Sequence, residues 1–236
     1  MKRMIKITLI LLLMGMAVIA AVPFLKEKRA ERKYENEFKN IQESVTEKKS
    51  DVNGLVKKNK DCIGYVQIPG TTISYPVMQT KDNPDFYLNH DFNRNYSFYG
   101  TPYLSAYCDV EKSDNLIIYG HNINGGKMFG ALEKYKDKEF FNKHRKIYFT
   151  TDKKREYEVF AVMSVIIHEL EYWKFVMARD AKEYDEFVDR VEEHSLWKQE
   201  NKPKYGEQVL MLSTCDNGKG DDWRIVVIGK RNMALW

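Results

Sequence analysis

The segment VLMLSTC, residues 209–215, and the segment WRIVVIG, residues 223–229, decide the fold of this chain. Both consist mainly of apolar and β-branched residues, and the loop between them is rich in Gly, Asp and Lys. This pattern predicts two neighbouring strands joined by a mobile loop. Cys215 then ends the first strand, and Arg224 begins the second.

Cys215 lies where a nucleophile is expected. A thiol at a strand end faces a loop, and the guanidinium of Arg224 on the next strand favours the reactive thiolate form. Such a thiol needs a base, and the best candidate is His121 in the segment LIIYGHN, residues 116–122. This segment too is an apolar strand that ends in polar residues. The predicted catalytic residues are therefore Cys215, His121 and Arg224.

These features resemble the sortase transpeptidases, which share the Tyr-Gly-His-Asn sequence after a strand, the Leu-Ser-Thr-Cys strand end and an arginine on the following strand. Further motifs narrow the resemblance to class B sortases. They are IPGT at residues 68–71, YPV at 75–77, NPDFYL at 83–88, NHDF at 89–92 and MFG at 128–130. The similarity extends from about Asp61 to the C-terminus.

Length and charge limit the class of protein. The chain has 236 residues, enough for one catalytic domain with a buried core and additional segments. Its formal net charge is only +4, and charged residues of both signs are interspersed along the sequence. The sequence has no basic block of the kind that binds nucleic acid, so no nucleic-acid partner is expected.

Residues 7–22 form an almost uninterrupted apolar segment, preceded by cations and followed by Pro23. The apolar stretch continues through Phe24-Leu25 to nearly the ~20 residues that span a bilayer, which is long for a signal peptide. We therefore expect residues 1–25 to be an uncleaved membrane anchor. Small residues at 17–21 leave a cleaved signal peptide as the alternative. Because cations flank both sides, the charge pattern does not decide the orientation.

Residues 26–60 are rich in Glu, Lys, Arg, Asn and Gln and carry few apolar side chains. From Tyr34 to Val45 the apolar residues follow at intervals of four, three and four, which makes one narrow stripe on a helix. We expect a linker of one or two amphipathic helices, broken near Asn53-Gly54, that packs this stripe against the following domain. A partner-binding helix is the less favoured alternative.

From Asp61 onward, short apolar segments alternate with Gly, Pro, Asn and Asp, which is typical of a β-barrel or sandwich. We expect residues 61–236 to form one catalytic domain that is mostly β. The resemblance implies an eight-stranded β-barrel with N-terminal helices and a helix in the connection before the Cys215 strand. The predicted helices are Met128–Tyr135 and Ala181–Trp197, and the predicted strands are residues 63–68, 72–77, 100–105, 116–119, 146–150, 156–167, 208–214 and 224–230.

The other cysteines and histidines are weaker candidates for the site. The chain has three cysteines, an odd number that leaves at least one thiol free in an exported protein. Cys62 and Cys108 are expected to be small buried residues, with a disulfide between them as the alternative. The sequence has no Cys-x-x-Cys pair or His-rich cluster, so neither a metal nor a cofactor is expected. Histidines with ordinary surface neighbours are His90, His144, His168 and His194.

The resemblance implies acyl transfer through a thioester. Cys215 would attack the carbonyl of a substrate threonine, and His121, as imidazolium, would protonate the departing amine. Arg224 would hydrogen-bond the developing oxyanion or the adjacent carbonyl. An acceptor amine would then take the acyl group, which makes the reaction a transpeptidation.

The resemblance also implies the partners and the location. The substrate would be a secreted protein with a C-terminal sorting signal of the Asn-Pro-x-Thr-Asn/Gly or Ser-Pro-x-Thr type. The acceptor would be an amine of a peptidoglycan precursor or a lysine of a pilin. The N-terminus would lie inside a Gram-positive cell membrane, with the catalytic domain outside. The implied substrate-binding residues are Asn83, Leu88, Tyr119, Ser213 and Thr214, and two aromatic residues after a long strand, Tyr172 and Trp173, are weaker candidates.

No carboxylate is predicted to orient His121, since Asp216, Asp221 and Asp222 are expected to be solvated loop charges. Two other classes of protein stay open. A cell-wall cysteine hydrolase also uses Cys and His, but papain-like enzymes have the cysteine first, at a helix start, and chymotrypsin-like ones have Gly-x-Cys-Gly. A non-enzymatic, membrane-tethered β-domain would not require Cys, His and Arg together.

Overall fold

The structure is a computed structural model that describes residues 2–47 and 52–232. The chain divides into two compact units, Met1–Asn40 and Ile41–Trp236. Helix α1 spans Lys2–Glu47 and contains Pro23. It includes an apolar stretch that is long enough to cross a membrane, judged by length and composition alone. The expected anchor and the start of the expected linker therefore form one continuous helix.

The second unit is built on a closed β-barrel, most of whose strands are short. The strands of the described chain are β1 (Cys62–Gln67), β2 (Ser74–Met78), β3 (Tyr103–Leu104), β4 (Asn115–Tyr119), β5 (Asn122–Ile123), β6 (Lys127–Met128), β7 (Lys146–Thr150), β8 (Lys154–Ile166), β9 (Val209–Cys215) and β10 (Trp223–Arg231). Around the barrel the order is β1, β2, β3, β4, β9, β10, β8 and β7. The prediction of an eight-stranded barrel is confirmed.

Strands β4 and β9 are neighbours and run parallel, with Tyr119 opposite Ser213. Every residue of β9 before Cys215 is buried, and β4 is buried up to its last residue, as expected of apolar strands covered on both faces. Because parallel strands end at the same rim, the residues that follow β4 meet the end of β9 there. This rim carries the candidate site.

Helix α4 (Ala181–Glu193) lies in the connection before β9, as the resemblance implied. Asp180 caps its N-terminus by accepting a hydrogen bond of 2.9 Å from the backbone N–H of Glu183. Its apolar residues recur at spacings of three and four and form its buried face. They are Tyr184, Phe187, Val188 and Val191.

The predicted linker stripe continues into the second unit, where Ile41 and Val45 are both buried. Between them, the side-chain amide of Gln42 donates to the backbone carbonyl of Ser74 in β2 at 3.0 Å. The last turns of α1 therefore pack beside the barrel, as the spacing of the apolar residues predicts.

Several predicted boundaries differ from the structure. Asn53-Gly54 lies inside a short helix, α2 (Val52–Lys58), and is not a break. The helix predicted from Met128 is a 3₁₀ segment, Gly130–Lys136, because Met128 belongs to β6 with a φ of 50°. Helix α4 ends at Glu193 and not at Trp197. The short α-helix α3 (Lys138–Lys143) was not predicted, nor were the 3₁₀ turns at Phe86–Leu88, Asn124–Gly126 and Tyr172–Lys174.

Candidate active site

One open cleft of about 680 Å³ lies at the barrel rim where β4 and β9 end. Its volume is in the range of protein sites that bind small ligands or short peptides. Cys215, His121 and Arg224 all line this cleft. The three side chains that the sequence singled out are thus brought to one site, although they come from three different strand ends.

The position of Cys215 follows from the pairing of β9 with both neighbours. Across the antiparallel pair, Cys215 is directly opposite Arg224. On the parallel side, the backbone N–H of Gly120 donates to the carbonyl of Ser213 at 3.2 Å, which continues the β4–β9 ladder by one residue. His121 is therefore the first residue beyond that ladder, and Cys215 is half-buried and free.

The imidazole of His121 is held by a backbone carbonyl. Its Nε2 lies 2.8 Å from the carbonyl oxygen of Leu88, and the ring of Phe98 lies parallel to it at 6.4 Å between centroids. A carbonyl can only accept, so this contact requires a proton on Nε2. The group that orients His121 is therefore Leu88, a residue predicted as a substrate contact, and not one of the loop aspartates.

The guanidinium of Arg224 is fixed by its own loop. Its Nη1 donates to the backbone carbonyls of Asp221, at 2.6 Å, and Trp223, at 2.9 Å. A guanidinium has five N–H donors in a planar fork, so these two bonds leave donors available. Arg224 is thus a fixed cation that lines the cleft on the side of Cys215 opposite β4.

The predicted substrate-binding residues lie around the same cleft, with one exception. Leu88, Tyr119, Tyr172, Trp173, Ser213 and Thr214 all line it. Asn83 is exposed and does not line the cleft, although the next residue, Pro84, does.

Two of the lining hydroxyl groups are bonded to each other. The hydroxyls of Tyr172 and Ser213 are 2.7 Å apart and buried. Both Tyr172 and Ser213 are only 2% exposed, so most of Tyr172 is packed and its hydroxyl supports the strand that carries Cys215. The hydroxyl of Thr214 is buried and has no hydrogen-bond partner among the described residues.

Asp85 and Tyr103 also line the cleft and were not predicted. The Tyr103 hydroxyl donates to the Asp85 carboxylate at 3.1 Å, and the rings of Tyr103 and Tyr119 are 5.5 Å apart. Burial, reinforced by Asp85, raises the pKa of Tyr103, and burial also raises the pKa of Tyr119. Both phenols therefore stay neutral donors. The available signal was the position of Asp85 inside the NPDFYL motif.

The prediction that Asp216 is a solvated loop charge is wrong, because the residue is fully buried. Its carboxylate accepts from Lys136 Nζ at 2.6 Å and from the hydroxyl of Ser164 at 2.6 Å. Burial alone would raise the pKa of Asp216, but these bonds and the charge of Lys136 outweigh it and lower the pKa. The carboxylate points to these partners and not to His121, whose side chain bonds to Leu88.

The remaining cysteines are buried and unpaired, so the alternative of a disulfide is not realised. Burial raises the pKa of the Cys62 thiol to about 12 and also raises that of Cys108. Within residues 2–47 and 52–232, no group of His, Cys, Asp and Glu side chains is arranged to hold a metal ion.

A closed β-barrel with a half-buried cysteine, a histidine and a fixed arginine around one rim cleft defines a cysteine-type enzyme of the acyl-transfer class. Comparison with known proteins makes this specific. The family model of the sortase domain matches residues 66–232. The chain belongs to the sortase family, whose members are cysteine transpeptidases.

The similar proteins are class B sortases, which confirms the narrower resemblance. Sortase B of Listeria monocytogenes serovar 1/2a is 32% identical over 187 residues, covering 78% of this chain and 75% of that protein. Sortase B of Staphylococcus aureus is 28% identical over 231 residues, covering 95% of this chain and 93% of that protein. The crystal structure of Staphylococcus aureus sortase B superposes with a TM-score of 0.76 at 27% identity, covering 86% of this chain and 98% of that one.

Proposed function

We propose that this sortase cleaves a sorting signal of the Asn/Ser-Pro-x-Thr-Asn/Gly type after threonine and joins the threonine to an amine of the cell wall or of a pilin. The proposal assigns the nucleophile to Cys215, the acid and base to His121, and the oxyanion donor to Arg224. The observation that carries it is that all three side chains line the same open cleft.

In the first half-reaction, the Cys215 thiolate attacks the threonine carbonyl carbon. The carbon–nitrogen bond to the next residue breaks, and protonated His121 gives its proton to the leaving amine. In the second half-reaction, the acceptor amine attacks the thioester, neutral His121 takes a proton from it, and the carbon–sulfur bond breaks. The amide gained equals the amide lost, so no cofactor or energy source is needed.

Arg224 is suited to stabilise the charge on the tetrahedral intermediates. Its guanidinium is held by two backbone carbonyls and lies opposite Cys215, so it needs little reorganisation when the oxyanion forms. One preorganised donor of this kind typically contributes about 3 kcal/mol to the transition state. The Leu88 carbonyl fixes the ring of His121 on the other side of the cleft.

The lining of the cleft suits a short extended peptide. Leu88, Tyr119 and Trp173 offer apolar surface for a proline, while Ser213 and Thr214 offer polar groups and backbone at a strand end. The buried hydroxyl of Thr214 has no hydrogen-bond partner among the described residues, and a bound water is proposed to connect it to the substrate. Asn83, on the exposed segment beside the cleft, is proposed to contact the outer part of the signal.

The test uses the full chain in a mild non-ionic detergent with a fluorescent peptide library of Asn-Pro-x-Thr-Asn-Gly and Ser-Pro-x-Thr-Gly sequences. Each peptide is incubated alone, with triglycine, and with a peptide whose only amine is a lysine side chain. Mass spectrometry is expected to detect peptide joined to an amine, with a Cys215 thioester as intermediate. Cys215→Ala and His121→Ala are expected to abolish transfer, while Cys62→Ala and Cys108→Ala retain most of it.

The other outcomes of this test separate the alternatives. Release of the peptide only as a free acid, whatever amine is present, supports a cell-wall cysteine hydrolase. Absence of both thioester and cleavage supports a tethered β-domain that merely binds. Loss of activity in folded Cys62→Ala would reassign the nucleophile.

We further propose that residues 1–25 anchor the protein in the membrane with the N-terminus inside, residues 26–60 form the linker, and residues 61–236 form the extracellular catalytic domain. The apolar stretch of α1 supports this arrangement. Protease treatment of intact protoplasts is expected to release the catalytic domain, and alkaline carbonate washing is expected to leave the untreated protein in the membrane.

A further inference from the structure

A closed ring of polar contacts lies behind the proposed nucleophile. The side-chain amide of Asn122 donates both to the backbone carbonyl of Cys215, at 2.7 Å, and to the carboxylate of Glu133, at 2.8 Å. Lys136 Nζ donates to the other oxygen of Glu133 and to the buried carboxylate of Asp216. Because Asp216 is bonded covalently to Cys215, the ring returns to its starting point.

The ring joins the two strand ends that carry the proposed reacting residues. Asn122 immediately follows His121, and Asp216 immediately follows Cys215. Glu133 and Lys136, which connect them, both come from the 3₁₀ segment Gly130–Lys136. This segment is thus a third element to which both strand ends are tied.

The charges of the ring depend on Lys136. The Lys136 ammonium faces two carboxylates, of which that of Asp216 is 0% exposed. Without the lysine, the buried negative charge of Asp216 would keep the hydroxyl of Ser164 as its one side-chain hydrogen-bond donor among the described residues. Lys219 also acts on Asp216 electrostatically, but it belongs to the exposed loop. Lys136 itself is 31% exposed, which leaves room for a larger side chain.

We propose that Asn122, Glu133, Lys136 and Asp216 form a positioning network that sets the separation of His121 and Cys215 across the cleft, with Lys136 as its central member. None of the four is assigned contact with the substrate. Asn122 and Asp216 act through the backbone that they share with His121 and Cys215, while Glu133 and Lys136 act through the side chains of Asn122 and Asp216. The inference rests on the proposed roles of Cys215 and His121. It predicts that breaking the ring slows thioester formation without weakening peptide binding.

The test compares Lys136→Met with Lys136→Arg in the full chain, in detergent, using the sorting peptide that the library selects. Lys136→Met is expected to lower the rate of thioester formation about 10-fold and to leave KM within twofold. Lys136→Arg, which can bridge two carboxylates, is expected to keep at least a third of the rate. Lys134→Met is the matched control, because Lys134 is exposed on the same segment and lies over the Phe140 ring.

A double-substitution cycle tests whether the contacts act as one ring. Asn122→Ala alone is expected to lower the rate of thioester formation about 10-fold. Adding Lys136→Met to it is expected to lower the rate by less than a further threefold, because the ring is already open. If the two substitutions acted independently, their rate losses would multiply to about 100-fold, and the proposed network would be overturned. An unchanged rate in Lys136→Met, or a raised KM at constant kcat, would also overturn it. If Lys136→Met does not fold, Asn122→Ala replaces it, since Asn122 is only half-buried, and exposed Asn124→Ala serves as its control. The rate of thioester formation and KM are then judged in the same way.

Hydrogen–deuterium exchange separates this inference from the proposed function, because it needs no substrate. Lys136→Met is expected to raise deuterium uptake in both segments 119–123 and 213–218, whereas Lys134→Met raises it in neither. If uptake rises in both segments but no sorting peptide forms a thioester with the protein, the ring is supported as a physical link and the proposed function is rejected. Uptake confined to residues near Lys136 would reject the ring.

Discussion

Arg224 lies directly opposite Cys215 in the antiparallel pair of β9 and β10, and its guanidinium is anchored to the carbonyls of Asp221 and Trp223. The cation is therefore fixed beside the thiol by backbone groups of its own loop. A fixed donor can stabilise charge that appears only in the transition state, and this geometry leads to the first prediction.

Replacing Arg224 by lysine keeps the charge but loses the planar fork, so one ammonium cannot both hold the loop carbonyls and reach an oxyanion. We expect kcat to fall about 100-fold, the usual effect of losing one oxyanion donor, with KM for the peptide within threefold. Single-turnover acylation kinetics measure this. Arg231→Lys, at the other end of β10, is the control, and a near-normal kcat in Arg224→Lys would restrict Arg224 to a structural role.

Selective alkylation should single out Cys215 in the folded protein. Burial raises the pKa of the Cys62 thiol to about 12 and raises that of Cys108, so both remain protonated and shielded at pH 8. Iodoacetamide is expected to add once to the native chain and three times in urea, as read by mass spectrometry. A native adduct on Cys62 or Cys108 would contradict the burial described here.

Gly120→Ala should disturb the site through packing. A Cβ at Gly120 would lie 2.8 Å from Cγ of Phe129, whose ring is fully buried and cannot move aside. We expect a loss of roughly 1–3 kcal/mol in the free energy of unfolding. A fall in turnover should accompany it, because His121 is the next residue.

Gly218→Ala provides the matched control for this substitution. Its added Cβ would meet only Asp216 Oδ1, at 3.8 Å, which is an ordinary contact. Urea unfolding and peptide turnover should both remain at the level of the unmodified protein. Equal effects of the two substitutions would show that the crowding against Phe129 is not the cause.

Asp216 should make the stability of the barrel sensitive to acid. Its pKa in the folded chain is lower than the ordinary value of 3.8, so the carboxylate contributes stability that is present above that value. This contribution is lost as the pH falls through the lower folded pKa. Asp216→Asn is expected to cost about 2 kcal/mol at pH 7 and to flatten the stability curve below pH ~4.

Urea unfolding followed by tryptophan fluorescence at several pH values measures this effect. Asp222→Asn is the control, since the Asp222 side chain is 70% exposed, and it should leave the acid limb unchanged. If the free energy of unfolding of Asp216→Asn fell as steeply at low pH as that of the unmodified chain, other carboxylates would be responsible for the acid sensitivity.

The strands of the barrel were predictable because each is a short β-branched segment bounded by turn residues. The hairpin of β5 and β6 was not, since two-residue strands carry no alternation to detect. Its turn is made by Gly125 and Gly126, with φ of 77° and 74°, and Met128 then adopts a positive φ that an apolar residue rarely takes. The sequence MFG therefore looked like the start of a helix.

The convergence of Cys215, His121 and Arg224 could be predicted because each ends or begins a recognisable strand. The burial of Asp216 could not, because the residue sits among Gly, Asp and Lys in a segment typical of a solvated loop. Its partner Lys136 is 80 positions away and Ser164 is 52. The Leu88 carbonyl that holds His121 escaped prediction for a similar reason, since any residue type supplies a carbonyl.

The parallel neighbours β4 and β9 also have a consequence for how the enzyme matures. Asn122 and Cys215, joined by a hydrogen bond, are 93 positions apart, so the chain between them must return to the starting end of the barrel before the pair can form. Contacts between such distant positions form late and slowly during folding. A chain whose last strands are still unpaired thus lacks the assembled cleft, which is complete only once β9 and β10 have closed the barrel.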